Sequence, residues 1–283
     1  MTPTPPADRA KVFALIQKLA LFFVITVLVQ ETLPKLIRPM ADLLVASALT
    51  VFAAGAISNE IAARIWEKGR LSDFGLGWGP RSLRDLAIGI AGGFGAIAAI
   101  VLYSLAARFA VYESVPDQQT NWAYVIYLAF MLLLGAVGEE TLFRGYAFQS
   151  LRRAMGDFAS ILPMAVVFGV VHMGNANASI LGIVNTVLWG VLLGWSYVLT
   201  NSLWLPIGLH FGWNVGLMVS GINLSGFTIG VVGYQLHWNK GDLYSGGAYG
   251  LEGSVLTTVV VAVLFYLVKR ANLEEIPGES GAA

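Results

Sequence analysis

Long apolar runs separated by short polar connections dominate the pattern of hydrophobic and polar positions along the chain. Eight runs have about the length that a helix needs to enter or cross a bilayer, roughly 16 to 26 residues each. They lie at residues 13–33, 41–66, 84–109, 121–147, 158–173, 178–199, 203–222 and 254–271. The fifth run is shorter than the ~20 residues of a full crossing, so we expect it to be buried among the others or to extend into its loops. The pattern predicts an all-α fold, a polytopic membrane helix bundle with about eight transmembrane helices.

The composition agrees with this class and excludes several others. Hydrophobic residues make up 57% of the 283 residues and charged residues only 12%, about half of the usual share. The absence of cysteine excludes disulfides, thiolate metal sites and a cysteine nucleophile. The 17 basic and 17 acidic residues balance, which argues against nucleic acid as a partner. The first partner that the sequence predicts is the lipid bilayer.

Basic residues at the ends of the runs indicate the orientation. Twelve fall on the side of the N-terminus and four on the other side, which predicts cytoplasmic N- and C-termini in the cell membrane. The twelve are Arg9, Lys11, Lys18, Arg64, Lys68, Arg70, Arg81, Arg84, Arg152, Arg153, Lys269 and Arg270, and the four are Lys35, Arg38, Arg108 and Lys240. Since no small-residue cleavage site follows the first run, we expect a retained span rather than a signal peptide.

The fourth run ends in a stretch that carries three charges within six residues, Glu139, Glu140 and Arg144. Charged groups are costly at membrane depth, and they usually face a protein interior with a partner or a function. On a helix, Glu140 and Arg144 are four residues apart and can pair. Glu139 points about 100° away, where the sequence offers no local cation. The spacing predicts a structural Glu140–Arg144 pair and a freer, reactive Glu139.

Two of the three histidines also fall within predicted spans. His172 ends the fifth run, with Phe168 one turn before it, and His210 shares a helix face with Asn214. A lone buried histidine is commonly a hydrogen-bonded core residue. Together with the charged stretch, however, these side chains are tolerable in an apolar bundle if they converge on one hydrated cavity.

The connection at 222–253 is long and rich in glycine and aromatic residues, including Trp238 and Tyr244. We interpret it first as an interfacial loop held by its aromatic side chains, with a lid or a re-entrant element as the alternative. His237 lies in this loop, and we expect it at the surface or the membrane interface.

The polar side chains of the spans suit hydrolysis. A carboxylate in an apolar cavity can act as a general base on water, and a histidine can share or orient that water. A second histidine and an asparagine amide can donate hydrogen bonds to an oxyanion. Neither a Gly-x-Ser-x-Gly nor a His-Glu-x-x-His motif is present. No cofactor is certain, but one glutamate and two histidines can ligate zinc, so zinc or another divalent metal at Glu139, His172 and His210 stays open.

Three motifs, in this order on separate spans, resemble the CPBP family of intramembrane proteases, which includes the CAAX prenyl endopeptidase and abortive-infection and bacteriocin-processing homologues. They are Glu-Glu-x-x-x-Arg at 139–144, Phe-x-x-x-His at 168–172 and His-x-x-x-Asn at 210–214. The resemblance covers roughly residues 85 to 222, and the eight-span count agrees with the architecture of the family. The family has been described as glutamate-dependent and as metal-dependent, so the zinc question stays open.

The resemblance implies a role for each motif residue. Glu139 and His172 would activate the attacking water, and His210 and Asn214 would form the oxyanion site. The glutamate and arginine predicted to pair would hold this constellation in place. We therefore expect a single membrane domain over residues 1–283. Its parts are N-terminal spans at 13–66, a catalytic core at about 85–222, the loop at 222–253, a last span at 254–271 and a C-terminal tail at 272–283.

The leading hypothesis is an intramembrane endopeptidase that hydrolyses a peptide bond at or near the membrane face. Its partner would be a protein or peptide substrate, with a prenylated C-terminus as one option. One alternative is a non-catalytic bacteriocin-immunity or binding protein with the same fold. Another is a proton-coupled transporter in which Glu139 and His172 relay protons, although the chain has no internal repeat of the kind that transporters often show.

Overall fold

The computed structural model describes residues 6–38 and 41–271, with side chains from residue 9 onward. The predicted tail at 272–283 and the two chain ends lie outside the described residues. In chain order the helices and strands are α1 (Pro6–Ile37), α2 (Leu43–Ala62), α3 (Ser82–Ala106), β1 (Ala110–Ser114), α4 (Trp122–Arg144), α5 (Tyr146–Met155), α6 (Asp157–His172), α7 (Ile180–Thr200), α8 (Trp204–Val219), β2 (Tyr234–Trp238), α9 (Asp242–Ser245) and α10 (Val255–Arg270). A π-helical turn (Ala63–Glu67) extends α2, and single 3₁₀ turns lie at Leu71–Phe74, Gly247–Tyr249 and Leu251–Gly253.

Each of the eight predicted runs contains a helix, so the prediction of a helical membrane protein is confirmed. Within the described residues, five helical segments are long and apolar enough to cross a membrane, namely Arg9–Ile37, Leu43–Glu67, Ser82–Ala106, Trp122–Met155 and Ile180–Thr200. The helices α6, α8 and α10 have 16 residues each, about 24 Å at 1.5 Å per residue. They are therefore shorter than a bilayer core of ~30 Å.

Two features differ from the sequence prediction. The run at 121–147 is not one regular helix, because α4 ends at Arg144 and α5 begins at Tyr146. The chain also contains a two-stranded antiparallel sheet in which Ala110 pairs with Trp238 and Ser114 with Tyr234. The sheet joins the segment after α3 to the 222–253 loop, and only Ala110 of β1 is buried.

The chain divides into two compact units. The first consists of the described residues up to Gly77 together with Leu134–Ser160, and the second of Trp78–Leu133 together with the described residues from Ile161 onward. The predicted charged stretch at 139–144 lies in the first unit. Both intramembrane histidines and the long loop lie in the second unit.

The core of the first unit forms where α1 and α2 meet α5. Phe22 stacks on Tyr146 with ring centroids 6.2 Å apart, and Phe74 meets the same tyrosine edge-on at 5.3 Å. Small side chains such as Ala54 and Ala62 let the helices approach, and both are fully buried. This core fixes the start of α5 beside the end of α4.

The second unit is organised around the crossing of α3 and α8. A Cβ atom on Gly89 would lie 2.5 Å from the Leu205 carbonyl oxygen, and one on Gly93 would lie 2.1 Å from the Leu209 carbonyl oxygen. Gly208 and Gly212 on α8 meet the α3 backbone in the same way. Close backbone approach of this kind is how helices associate without large side chains. Gly89 and Gly93 therefore serve the close packing of α3 against α8.

Candidate active site

The Glu-Glu pair begins directly after a close crossing of α2 and α4. A Cβ atom on Gly138 would lie 2.5 Å from the Phe52 amide nitrogen, and one on Gly55 would lie 2.7 Å from the Gly138 carbonyl oxygen. The two backbones therefore touch one residue before Glu139. A rigid backbone contact at this point fixes where the following turn of α4 directs its side chains.

Glu140 and Arg144 form the ion pair that their spacing predicts. The Arg144 Nη1 donates to Glu140 Oε1 over 3.2 Å, and the side chains are 2% and 0% exposed, respectively. The Arg144 guanidinium also lies over the Phe143 ring, 5.9 Å from its centroid. Two charges buried this completely are tolerated because each compensates the other. This pair is a structural element of α4.

Glu139 differs from its neighbour in exposure. Its side chain is partly exposed, whereas Glu140 is fully buried. The expectation that Glu139 has no local cation is wrong, because Arg144 attracts both carboxylates. Attraction between opposite charges acts over several ångströms without contact, so the 100° rotation between adjacent residues does not remove Glu139 from the influence of Arg144.

A buried asparagine on α2, which sequence reasoning missed, holds the break between α4 and α5. The Asn59 Nδ2 donates to the Gly55 carbonyl over 2.7 Å and to the Thr141 carbonyl over 3.0 Å. Its Oδ1 accepts from the Tyr146 amide over 2.6 Å and so caps α5. A Cβ on Gly145 would lie 2.2 Å from that Oδ1, which requires glycine at the break. The signal was a polar residue inside an apolar span, the argument that singled out the charged stretch.

In the second unit, the two intramembrane histidines meet at one phenylalanine. The Phe168 ring lies 4.6 Å from the His172 ring and 6.3 Å, edge-on, from the His210 ring, measured between centroids. The structure thus brings His172 of α6 and His210 of α8 to the same phenylalanine ring. The predicted convergence of polar groups requires such an approach of the two histidines. Phe168 is buried, and both imidazoles remain partly exposed.

The backbone fixes the tautomer of His172. Its Nδ1 lies 2.7 Å from the Phe168 carbonyl oxygen. A carbonyl oxygen only accepts hydrogen bonds, so Nδ1 carries the proton and donates. In the neutral imidazole, Nε2 is then the basic nitrogen. An imidazole held in this way can accept a proton from water at one defined atom.

Asn214 lies one turn after His210 on α8 and is partly exposed. Between them, Trp213 is buried against Trp189 of α7, with ring centroids 4.8 Å apart. The α3–α8 crossing and this tryptophan pair fix the rotation of α8, so that its polar side chains share the exposed side of a helix whose other side is packed.

The long loop combines surface and buried parts. His237 is exposed, as predicted, and its Nδ1 lies 3.7 Å from the Glu113 carboxylate across the β1–β2 pair. Glu252, which sequence reasoning did not single out, lies within the packed part of the loop. Its Oε2 accepts hydrogen bonds from the amide and the hydroxyl of Ser225, the latter over 2.9 Å.

Within residues 6–38 and 41–271, no three His, Asp or Glu side chains are placed to hold a metal ion together. Glu139 belongs to the first unit and His172 and His210 to the second, so zinc or another divalent ion at these three residues stays a prediction.

The comparison with protein families agrees with the motifs. Residues 120–216 match the family model described as type II CAAX prenyl endopeptidase, Rce1-like. This segment contains the charged stretch of α4, the C-terminal histidine of α6 and the His-x-x-x-Asn turn of α8. No curated protein matches the chain. The resemblance predicted from the three motifs is thus confirmed over residues 120–216, which are similar to Rce1-like CAAX prenyl endopeptidases.

Proposed function

We propose that the protein is an intramembrane endopeptidase that hydrolyses a peptide bond at or near the membrane face. The observation that carries this proposal is that two of the six motif residues are buried and the other four are partly exposed. Glu140 and Arg144 are buried as a pair, whereas the four residues with chemical roles in the proposal retain exposed surface, namely Glu139, His172, His210 and Asn214. Groups that react with water must reach water, and groups that only support them need not.

In this proposal Glu139 and His172 activate the attacking water. The water oxygen bonds to the carbonyl carbon of the substrate, and its proton passes to the base. The tautomer of His172 supports this role, because Nε2 is the nitrogen that can accept a hydrogen bond from water. When the tetrahedral intermediate collapses, the carbon–nitrogen bond breaks and the proton moves to the leaving amine.

His210 and Asn214 stabilise the negative charge that develops on the substrate oxygen. Both are hydrogen-bond donors one turn apart on α8, whose position is fixed by the glycine crossing with α3. Removing one oxyanion donor commonly costs roughly 10²- to 10³-fold in kcat. The Glu140–Arg144 pair keeps the last turn of α4 rigid beneath Glu139.

The substrate is a protein or peptide that reaches the site from the bilayer. The Rce1-like match supports a C-terminal peptide with a prenyl group as the first substrate to test. We further propose that residues 85–222 form the catalytic core of a single membrane domain and that both termini are cytoplasmic, as the distribution of basic residues favours.

The test is peptide cleavage by the purified protein in nanodiscs, with prenylated and unprenylated C-terminal peptides. Glu139→Gln keeps the shape of the side chain and removes the base, so cleavage should fall by a factor of about 10² or more. Glu113→Gln makes the same change at an exposed site on β1 and should cleave at the wild-type rate. A folded Glu139→Gln protein with full activity would contradict the proposal. Loss of wild-type cleavage on adding a chelator would show that a metal takes part.

A further inference from the structure

A second carboxylate lies deep within the second unit, outside the three motifs. Glu252 belongs to the 3₁₀ turn Leu251–Gly253, just before α10. Its Oε2 takes two hydrogen bonds from Ser225, at the opposite end of the long loop. Ser225 has a φ of +47°, a backbone conformation that costs free energy in a residue other than glycine and persists only where surrounding contacts impose it. The loop is therefore closed on itself by one charged side chain.

The backbone of the same turn is held by a buried asparagine of α7. The Asn185 Nδ2 donates to the carbonyl oxygens of Glu252 and Ser254, each over 2.8 Å. Its Oδ1 accepts from the Thr258 hydroxyl of α10 over 2.7 Å. Because every polar atom of the Asn185 side chain is used, the position of Glu252 is fixed on both its side-chain and its backbone side.

This closed part of the loop lies on the turn that follows His172. A Cβ atom on Gly226, whose φ is +87°, would lie 1.9 Å from the Ala176 carbonyl oxygen. The Gly226 amide donates to the Tyr249 carbonyl over 2.8 Å, and the Asn175 amide donates to the His172 carbonyl over 3.1 Å. An unbroken chain of backbone contacts thus connects the loop to the end of α6.

Electrostatics give a second, independent connection between Glu252 and His172. Burial raises the pKa of the Glu252 carboxyl above its ordinary value, while the Ser225 donors and then the charge of His172 lower it. The buried indole N–H of Trp213 is directed toward the same carboxyl and also lowers its pKa. Glu252 nevertheless retains some exposed surface.

We propose that Glu252 is a positioning residue of the active site, which holds the 222–253 loop on the α6–α7 turn and places a carboxylate beside the imidazole of His172. In this position it orients His172 and stabilises positive charge that develops on the ring as it takes the proton of water. This inference rests on the proposed hydrolysis. It also means that the loop is part of the site rather than an interfacial segment.

The test compares Glu252→Gln with the wild type in the cleavage assay. Gln retains the size of the side chain and an acceptor for Ser225 but removes the charge. We expect kcat to fall about tenfold or more, since a neighbouring opposite charge commonly shifts a proton equilibrium by about one unit or more. KM and the thermal unfolding midpoint should stay at wild-type values, and Glu252→Asp should recover part of kcat. Glu113→Gln serves as the matched control.

A second measurement does not need activity. Diethyl pyrocarbonate modifies neutral histidines, and mass spectrometry can follow His172, His210 and His237 separately. In Glu252→Gln, His172 should react several-fold faster than in the wild type, because the charged form of its ring is no longer stabilised by a carboxylate. The rates of the other two histidines should not change. If Glu252→Gln does not accumulate, Ser225→Ala removes one of the two donors to the carboxylate and should shift the same rate in the same direction.

The outcomes separate this inference from the proposed function. If the wild type cleaves, Glu139→Gln is inactive and Glu252→Gln has wild-type kcat, the positioning role is wrong and the protease proposal stands. If the wild type cleaves no peptide while His172 becomes more reactive in Glu252→Gln, the loop contact is supported and the proposed function is not. Equal modification rates in both proteins would overturn the inference.

Discussion

The sharpest structural prediction concerns Arg144, whose charge is buried beside Glu140. The Arg144 Nη1 lies 3.2 Å from Glu140 Oε1. Arg144→Ala removes this cation and leaves a Glu140 side chain that is 0% exposed. Breaking a buried ion pair by removing one partner costs about 3–5 kcal/mol, because the remaining charge is neither hydrated nor compensated. For a chain of this size, such a loss corresponds to a fall in the unfolding midpoint on the order of 10 °C.

The first unit offers a matched control for this experiment. Glu60 and Arg64 are also four residues apart, and their side chains are 30% and 72% exposed. Arg64→Ala makes the same change in a hydrated pair, and exposed pairs of this kind contribute little to stability. The assay is thermal unfolding of both variants in the same detergent, together with the yield of folded protein from membranes.

The double variant Arg144→Ala/Glu140→Gln completes the cycle. Since it removes the uncompensated charge as well, its midpoint should lie above that of Arg144→Ala alone, and comparison with both single variants, Arg144→Ala and Glu140→Gln, gives the coupling of the pair. The reasoning is refuted if Arg144→Ala unfolds at the wild-type temperature. It is refuted equally if Arg64→Ala loses as much, because burial would then not be what makes the α4 pair important.

Two further predictions follow from the packing of the second unit. Gly93→Ala should lower the unfolding midpoint and the cleavage rate, because its Cβ would overlap α8, at a cost of about 1–3 kcal/mol for overpacking. A Cβ atom on Gly95 of the same helix would have no atom within 4 Å, so Gly95→Ala should be neutral or slightly stabilising. Equal behaviour of the two variants in thermal unfolding and cleavage would contradict the close α3–α8 crossing. His237→Ala should leave turnover and the midpoint unchanged, since its ring is exposed; a large loss of turnover would place the β1–β2 pair in the reaction.

Local patterns predicted the helices and the buried pair well, because both depend on neighbours in sequence. Apolar runs become helices in a membrane protein, since the backbone must satisfy its own hydrogen bonds there. The pairing of Glu140 with Arg144 needs only the four-residue spacing of one helix. The prediction that Glu139 has no local cation was less accurate, because the charge of Arg144 also attracts a carboxylate that helix geometry directs away from it.

Contacts between distant segments could not be predicted in the same way. The β1–β2 pair joins residues more than a hundred positions apart in the sequence, and β1 has a mostly exposed face that gives no alternating apolar signal. Gly89 and Gly93 indicate a packing face by themselves, but not that glycines of α8 would meet them. Glu252 looked like an ordinary loop residue, because its partners Ser225 and Asn185 lie 27 and 67 positions away.

The geometry of His172 bears on the choice between the proposed hydrolase and a proton-coupled transporter. The exposure of the motif residues does not separate these two functions, since both need hydrated ionisable groups. A relay through imidazole takes a proton at one ring nitrogen and releases it at the other. In this protein the Nδ1–H is directed at the Phe168 carbonyl within the same helix, and a carbonyl oxygen does not take the proton over. Only Nε2 can then take up and return a proton. That suits the proposed role, in which the ring accepts a proton from water and gives it back to a leaving amine in one site, and it does not suit a relay that passes a proton through the ring.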